Sequence, residues 1–202
     1  MSNKSKEVVI VSAIRTPIGK YRGSLKDIRS DQLGSIVIKE VLKKSKFANE
    51  EIDEVIMGQV LTAGTGQNPA RQAAINAGIP ISKPAHIINQ VCGSGLRAVI
   101  SGYQSIKLGE SNNVISGGQE SMSLAPHSIF LKDENKISED KLLDTMINDG
   151  LIDAFNNYHM GVTAENVAKK FNITRQEQDE FALKSQKKTE LAIINNKFDE
   201  EL

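Results

Sequence analysis

Short apolar runs alternate with longer stretches of helical pattern through the first half of the chain, and this alternation restricts the fold more than any other feature. The strand-like segments are Val8 to Ala13, Val55 to Met57 with Val60 to Leu61, Ala85 to Val91, and Asn113 to Ser116. Strands spaced by helices connect through βαβ crossovers, which place helices over both faces of a parallel sheet. The sequence therefore predicts an α/β fold with a mostly parallel, layered sheet and helices on both faces.

Three helices are predicted between these strands. Ser30 is a candidate N-cap for the first, which would bury an apolar face of Leu33, Ile36, Val37 and Val41. Asn68-Pro69 is typical of a helix start. The third helix is predicted from Gly93 to Lys107, with Gly109 as its C-terminal cap.

The pattern changes after about residue 118. Lys132 to Lys141 is charge-dense and predicts an exposed loop. Helical stretches follow near Lys141 to Met146, Thr163 to Lys170 and Arg175 to Asn195, the last with a capping box of Thr174 and Glu177. We predict a sheet domain over residues 1–118 and a partial helical insertion over 119–202, and the chain ends after a helix without a closing strand.

Composition excludes several classes of protein. Lys plus Arg and Asp plus Glu both number 25, so the formal net charge is zero, which argues against a nucleic-acid binder. No apolar run approaches the ~20 residues of a membrane span, and the first residues lack the apolar core of a signal peptide. One cysteine and three dispersed histidines, at positions 86, 127 and 159, offer neither a disulfide framework nor a metal site. We expect a cytoplasmic protein without metal.

The single cysteine, Cys92, is the natural candidate for chemistry. It lies between a predicted strand and a predicted helix, where the unpaired N–H groups and the dipole of the helix favour a thiolate. Gly93 and Gly95 would leave space for a ligand, and free amides at the turn could bind an oxyanion. Free cysteines are also among the most buried residues, so spacing alone leaves open whether Cys92 is a nucleophile or a small core residue.

Five blocks, in order, resemble the thiolases and specifically the acetyl-CoA acetyltransferases. They are Ser12 to Gly19, Gly58 to Leu61 with Gly66 to Ala73, Asn89 to Val99 around Cys92, Gly117 to Ser123, and Tyr158 to Asn166. The blocks extend over the whole chain. The resemblance implies the N-terminal half of a thiolase, with the start of its helical loop domain.

The resemblance also implies a reaction. Cys92 would be acylated by an acyl-CoA thioester, and the carbanion of a second acetyl-CoA would attack the acyl group, giving acetoacetyl-CoA and CoA by a reversible Claisen condensation. His159 and Met160 would line the pocket for the acyl group and pantetheine, and Leu151 would lie near the pantetheine arm. The partners would be acetyl-CoA and acetoacetyl-CoA, with no cofactor beyond these coenzyme A thioesters.

Other family motifs do not occur in this sequence. The resemblance assigns catalysis also to a Gly-His-Pro histidine, an Asn-containing oxyanion segment and a second cysteine in a Cys-x-Gly context, and it places one more strand after the insertion. We therefore expect a truncated portion that does not catalyse condensation alone. The full protein would be a homo-oligomer, a dimer rather than a tetramer, since the loop Lys132 to Ser138 lacks the glycines of bacterial tetramers.

Two other interpretations stay open at this point. The chain could be a non-catalytic remnant or interaction module that keeps the fold without the chemistry. It could also belong to another condensing enzyme with the same sheet, such as a ketoacyl synthase, although His159-Met160 favours the short-chain thiolases.

Overall fold

The computed structural model describes residues 7–129 and 142–202. The chain divides into two compact units, Met1–Gly150 and Leu151–Leu202. The predicted loop from Lys132 to Lys141 lies outside the described residues. The division after residue 150 reflects which residues contact one another in the structure. The boundary predicted after residue 118 marks instead the start of the helical insertion that the resemblance implies, and it stays a prediction.

The first unit alternates helices and strands, as the sequence predicts. Its elements are α1 (Ser30–Ser45), β1 (Glu54–Gly58), α2 (Pro69–Asn76), β2 (Ala85–Ile88), α3 (Ser94–Leu108), β3 (Val114–Gly118), β4 (His127–Ser128), β5 (Leu143–Asp144) and α4 (Thr145–Gly150), with short 3-10 turns at Asn49–Glu51 and Met122–Leu124. The predicted caps Asn68 and Gly109 are confirmed. The Asn68 side chain accepts a hydrogen bond from Arg71 N, and Gly109 adopts the left-handed conformation with φ of 81°.

The main sheet is parallel, with the strand order β2-β1-β3. Because side chains alternate across a strand, Val55 and Met57 of β1 face one side, where they join the alanines of α2 in the core. Gly58 of the same strand lies against α3 on the opposite side. The predicted parallel sheet with helices on both faces is confirmed.

The N-terminal strand prediction is wrong. Residues 8–13 have no regular secondary structure, and Val9, Ile10 and Val11 are exposed. A strand requires a hydrogen-bonded neighbour, and none of the described strands pairs with this segment. On its outer side β3 is likewise unpaired within the described residues.

The second predicted strand ends earlier than expected. β1 stops at Gly58, and Val60 and Leu61 leave the sheet. Their backbone N–H groups donate to the Glu120 carboxylate, at 2.8 Å for Val60 and 3.3 Å for Leu61, instead of to a neighbouring strand.

Helix α1 differs from its prediction in cap and in face. Its N-cap is Arg29, whose backbone N–H donates to the Gln32 side chain, and Ser30 is the first helical residue. The face predicted to be buried is not: Leu33, Val37 and Val41 are half-buried and Ile36 is exposed. The residues that the helix does bury are Ser30, Asp31, Gly34, Ser35, Ile38 and Leu42. The reason is close helix packing: Gly34 lies against Ala73 of α2, so small residues define the contact.

The helix predicted near Lys141 to Met146 begins later. Leu143 and Asp144 pair with β4 in an antiparallel ladder, and α4 starts at Thr145. The Asp144 carboxylate accepts hydrogen bonds from the N–H groups of Met146 and Ile147, at 2.9 and 3.3 Å, and so caps a helix that starts after it.

The second unit contains α5 (Met160–Phe171) and α6 (Arg175–Ile194). The capping box is confirmed: Thr174 N donates to the Glu177 carboxylate at 2.8 Å, and Glu177 N donates to the Thr174 hydroxyl at 3.2 Å. None of the residues 151–202 is buried. Across residues 7–129 and 142–202, no helix combines the length and the apolar character needed to cross a membrane.

Asp53 anchors the turn before β3 and gives a pH-dependent prediction. Its carboxylate accepts hydrogen bonds from Asn112 N at 2.8 Å and Asn113 N at 3.2 Å, and Lys83 lies 3.5 Å away. These contacts, the Asn112 N–H above all, lower the pKa of Asp53 below its usual value. A lowered pKa stabilises the fold above the unfolded pKa of about 3.9, and this stability is lost as the pH falls through the folded value.

We expect Asp53→Asn to lower the free energy of unfolding by about 1 kcal/mol at pH 7 and by much less at pH 3, since the site is partly exposed. Urea unfolding at the two pH values measures this. Asp27→Asn, on an exposed side chain, removes the same charge and is the control. An equal loss at both pH values for Asp53→Asn would contradict the prediction.

Candidate active site at the β2–α3 junction

Cys92 lies between the end of β2 and the start of α3, and it is exposed. The alternative of a small buried core cysteine is therefore wrong. The position is the one predicted from the sequence, at the carboxyl edge of a parallel strand and immediately before a helix.

The turn that carries Cys92 has an unusual backbone. Val91, the residue before it, adopts a φ of +48°. β-Branched residues rarely enter this left-handed region. The Asn89 side chain accepts a hydrogen bond from Val91 N at 2.9 Å, which helps to hold the residue there.

Ser94 is buried beneath the same turn, and its side chain bonds to two backbone groups of that turn. Its hydroxyl accepts a hydrogen bond from Gln90 N at 2.8 Å and donates one to Val91 O at 2.6 Å. Ser94 is not among the site residues predicted from the sequence. A hydroxyl at the start of a predicted helix, next to a candidate nucleophile, is the signal that could have identified it.

Two amides of this turn already donate hydrogen bonds within it. Gly93 N donates to Gln90 O at 3.1 Å, and Ser94 N donates to Val91 O at 3.0 Å. These two N–H groups close the turn and so are not available to an oxyanion. The expectation that free amides of this turn bind an oxyanion stays a prediction for its other N–H groups.

The glycines of the site pack the helix against the sheet. The missing side chain of Gly95 points toward Gly117 and Gly118 at the end of β3, not toward open space as expected from the sequence. Gly58 at the end of β1 touches the backbone of Ser94 and Gly95. The start of α3 is therefore held directly on the carboxyl ends of β1 and β3.

Glu120 is a second residue that the sequence did not single out, although it belongs to the thiolase-like block Gly117 to Ser123. Burial raises the pKa of its carboxyl above the usual value, while hydrogen bonds from the N–H groups of Val60 and Leu61 oppose the shift. Asn89 of the Cys92 turn donates from its side chain to Val60 O at 3.4 Å. The loop after β1 thus contacts both Glu120 and the Cys92 turn.

The other three predicted site residues belong to the second unit, where the structure brings them together. Met160 N donates to Leu151 O at 2.9 Å, and Ile152 pairs with His159 in an isolated antiparallel bridge. His159 is the N-cap of α5, and its Nδ1 accepts a hydrogen bond from Gly161 N at 2.9 Å. The side chains of His159 and Met160 are exposed, whereas Leu151 is half-buried.

The described parts of the chain contain no group of three or more His, Cys, Asp or Glu residues that could hold a metal ion.

Comparison with known proteins identifies the family. The model of the thiolase N-terminal domain matches residues 8–202. The chain is 56% identical over 197 residues to the acetyl-CoA acetyltransferase of Cupriavidus necator, and 52% identical over 202 residues to the cytosolic acetyl-CoA acetyltransferase of Rattus norvegicus. These alignments include 97% and 100% of this chain but 50% and 51% of the relatives. The chain belongs to the thiolase family, and it spans about half the length of the curated relatives it matches.

A solved structure agrees with this assignment. The Acat5 thiolase from Ascaris suum, in complex with coenzyme A, superimposes with a TM-score of 0.91 at 39% sequence identity. The match includes 98% of this chain and 51% of the Ascaris chain. The thiolase N-terminal fold expected from the sequence is thereby confirmed.

Proposed function

We propose that this chain carries the nucleophile of an acetyl-CoA acetyltransferase, which condenses two acetyl-CoA into acetoacetyl-CoA and CoA and catalyses the reverse thiolysis. The observation that carries the proposal is the exposed Cys92 at a strand–helix junction within a member of the thiolase family. The names of the curated relatives support the substrate and the reaction.

In the first half-reaction, the Cys92 thiolate attacks the carbonyl carbon of acetyl-CoA. A bond forms from Sγ to that carbon, the bond to the coenzyme A sulfur breaks, and coenzyme A leaves as the thiolate and takes up a proton. Because one thioester replaces another, the step is readily reversible. The product is S-acetyl-Cys92.

In the second half-reaction, the α-carbanion of another acetyl-CoA attacks the acetyl carbon, and the Cys92 sulfur leaves. Removal of the α-proton needs a base, a role that the resemblance assigns to the cysteine of a Cys-x-Gly motif, while it assigns activation of the nucleophile to the histidine of a Gly-His-Pro motif. Neither motif occurs in these 202 residues. We propose that these 202 residues alone perform at most the acyl transfer to Cys92.

His159, Met160 and Leu151 are proposed to bind the acyl group and pantetheine. The hydrogen bond between Met160 and Leu151, and the fixed position of His159 at the start of α5, support a common role. The Ascaris suum thiolase, crystallised with coenzyme A, supports coenzyme A thioesters as the ligands.

Three further properties are proposed for the complete protein. The name of the rat relative, a cytosolic enzyme, supports a cytoplasmic location. For the complete protein we propose a homo-oligomer with a dimer as its unit; within the part of the chain that the structure describes, the outer edge of β3 has no partner strand and is available for pairing. A net charge of zero supports small-molecule partners rather than nucleic acid.

The proposal predicts acetylation of one residue. On incubation with acetyl-CoA, the intact protein is expected to gain the mass of a single acetyl group, located at Cys92 by peptide mapping, and Cys92→Ala is expected to gain none. Added coenzyme A should remove the group. Absence of labelling in folded wild-type protein would favour the non-catalytic module, and equal labelling of Cys92→Ala would overturn the assignment of the nucleophile.

A further inference from the structure

The backbone before Cys92 is held in a conformation that its own side chain disfavours. Val91 has a φ of +48°, and a β-branched residue enters this region only when its surroundings hold it there. Because Cys92 is the next residue, the direction of its Cα–Cβ bond depends on this φ.

Ser94 supplies two of the contacts that hold the turn. Its side chain is buried, with a residue exposure of 4%, so its two hydrogen bonds are shielded from water. One bond joins its hydroxyl to Gln90 N at 2.8 Å, and the other joins it to Val91 O at 2.6 Å. The hydroxyl therefore fixes the Asn89–Gln90 peptide group, one residue before Val91, and the Val91–Cys92 peptide group directly after it.

We propose that Ser94 is a positioning residue for acyl transfer, orienting the Cys92 sulfur toward the acyl carbonyl; this inference rests on the proposed function. Without the hydroxyl, Gln90 N loses its partner and Val91 O loses one of its two donors. Val91 then relaxes toward negative φ, and Cys92 turns with it. Because reacting atoms must meet at about 3–3.5 Å, a small rotation slows the step without affecting substrate binding.

The test compares three variants of the chain. Ser94→Ala removes the hydroxyl, and Ser94→Thr keeps it. Ser105→Ala is the matched control, because Ser105 lies in the same helix, is 8% exposed, and makes two side-chain contacts of its own, to Glu54 at 3.2 Å and Ser111 at 3.0 Å.

For Ser94→Ala, the rate of Cys92 acetylation at saturating acetyl-CoA should fall about tenfold or more, with the half-saturating concentration unchanged. Ser94→Thr should restore the rate, and Ser105→Ala should keep it although the fold is weakened. A wild-type rate in Ser94→Ala, or an equal loss in Ser105→Ala, would overturn the proposal.

A second measurement separates this inference from the proposed function. In 15N–1H spectra, the Cys92 amide signal should shift or broaden in Ser94→Ala and stay unchanged in Ser105→Ala. If acetyl-CoA fails to label wild-type Cys92 while this signal moves, the acyl-transfer function is wrong and the control of the turn by Ser94 stands. An unmoved signal overturns the positioning role.

Discussion

Gly58→Ala is expected to destabilise the first unit by about 3 kcal/mol, since overpacking at a rigid contact has a cost of this size. The added Cβ would lie 2.5 Å from the carbonyl oxygen of Ser94 and as close to the backbone of Gly95. These neighbours are main-chain atoms of α3, so no side-chain rotation can relieve the clash. The helix must move away from β1.

A matched glycine makes this prediction specific. Gly117 lies on the neighbouring strand at the same end of the sheet, and a Cβ there would meet nothing within 4 Å. We expect Gly117→Ala to change the free energy of unfolding by less than about 0.5 kcal/mol. Urea unfolding with an unchanged m-value measures both variants. Equal effects would show that α3 does not depend on close contact at Gly58.

Gly58→Ala also tests whether the packing that stabilises the first unit affects acetylation of Cys92. Because Gly58 touches Ser94 and Gly95, the displacement in Gly58→Ala reaches the turn of Cys92 directly. Acetylation of Cys92 should therefore slow in this variant under conditions where the protein is still folded. In Gly117→Ala it should proceed at the wild-type rate.

Local patterns were enough to predict the order of elements from α1 to β3 and the location of Cys92. A strand followed by Cys-Gly-Ser-Gly and a helical pattern defines the β2–α3 junction without information from elsewhere in the chain. The exposure of Cys92 was not predictable from that position alone and is an observation of the structure. The capping residues Asn68 and Thr174 were predictable because each acts within a few residues of itself.

Predictions that depend on distant neighbours were less successful. Val8 to Ala13 has strand composition, but pairing requires another strand, and composition does not indicate which one is available. Val60 and Leu61 leave the sheet because Glu120, 60 residues further on for Val60, accepts their N–H groups. The contact between Gly58 and Ser94 is of the same kind, since neither residue shows in sequence that the other lies beside it.

Helix α1 shows a second reason why prediction from the sequence was incomplete: the pattern of apolar residues did not indicate the buried face. Counting apolar side chains favoured a face that includes Ile36, while the helix buries a stripe through Gly34, Ile38 and Leu42. The stripe includes a glycine, and a Cβ at that position would lie 3.1 Å from the Ala73 Cβ of α2, so the two helices approach closely there. At Gly34 a Cβ would overlap the buried side-chain oxygen of Gln119, so the position admits no larger residue without rearrangement.

Two isoleucines on α1 distinguish these faces by experiment. Ile38 is 1% exposed and belongs to the core cluster with Val55 and Met57, whereas Ile36, two residues earlier, is 52% exposed. Ile38→Ala should lower the free energy of unfolding by about 3 kcal/mol, from lost burial and the cavity left behind. Ile36→Ala removes the same atoms and should have an effect below about 0.5 kcal/mol. Denaturant unfolding of the two variants measures the difference, and a larger loss at Ile36 would mean that α1 packs on the face that the apolar pattern predicts.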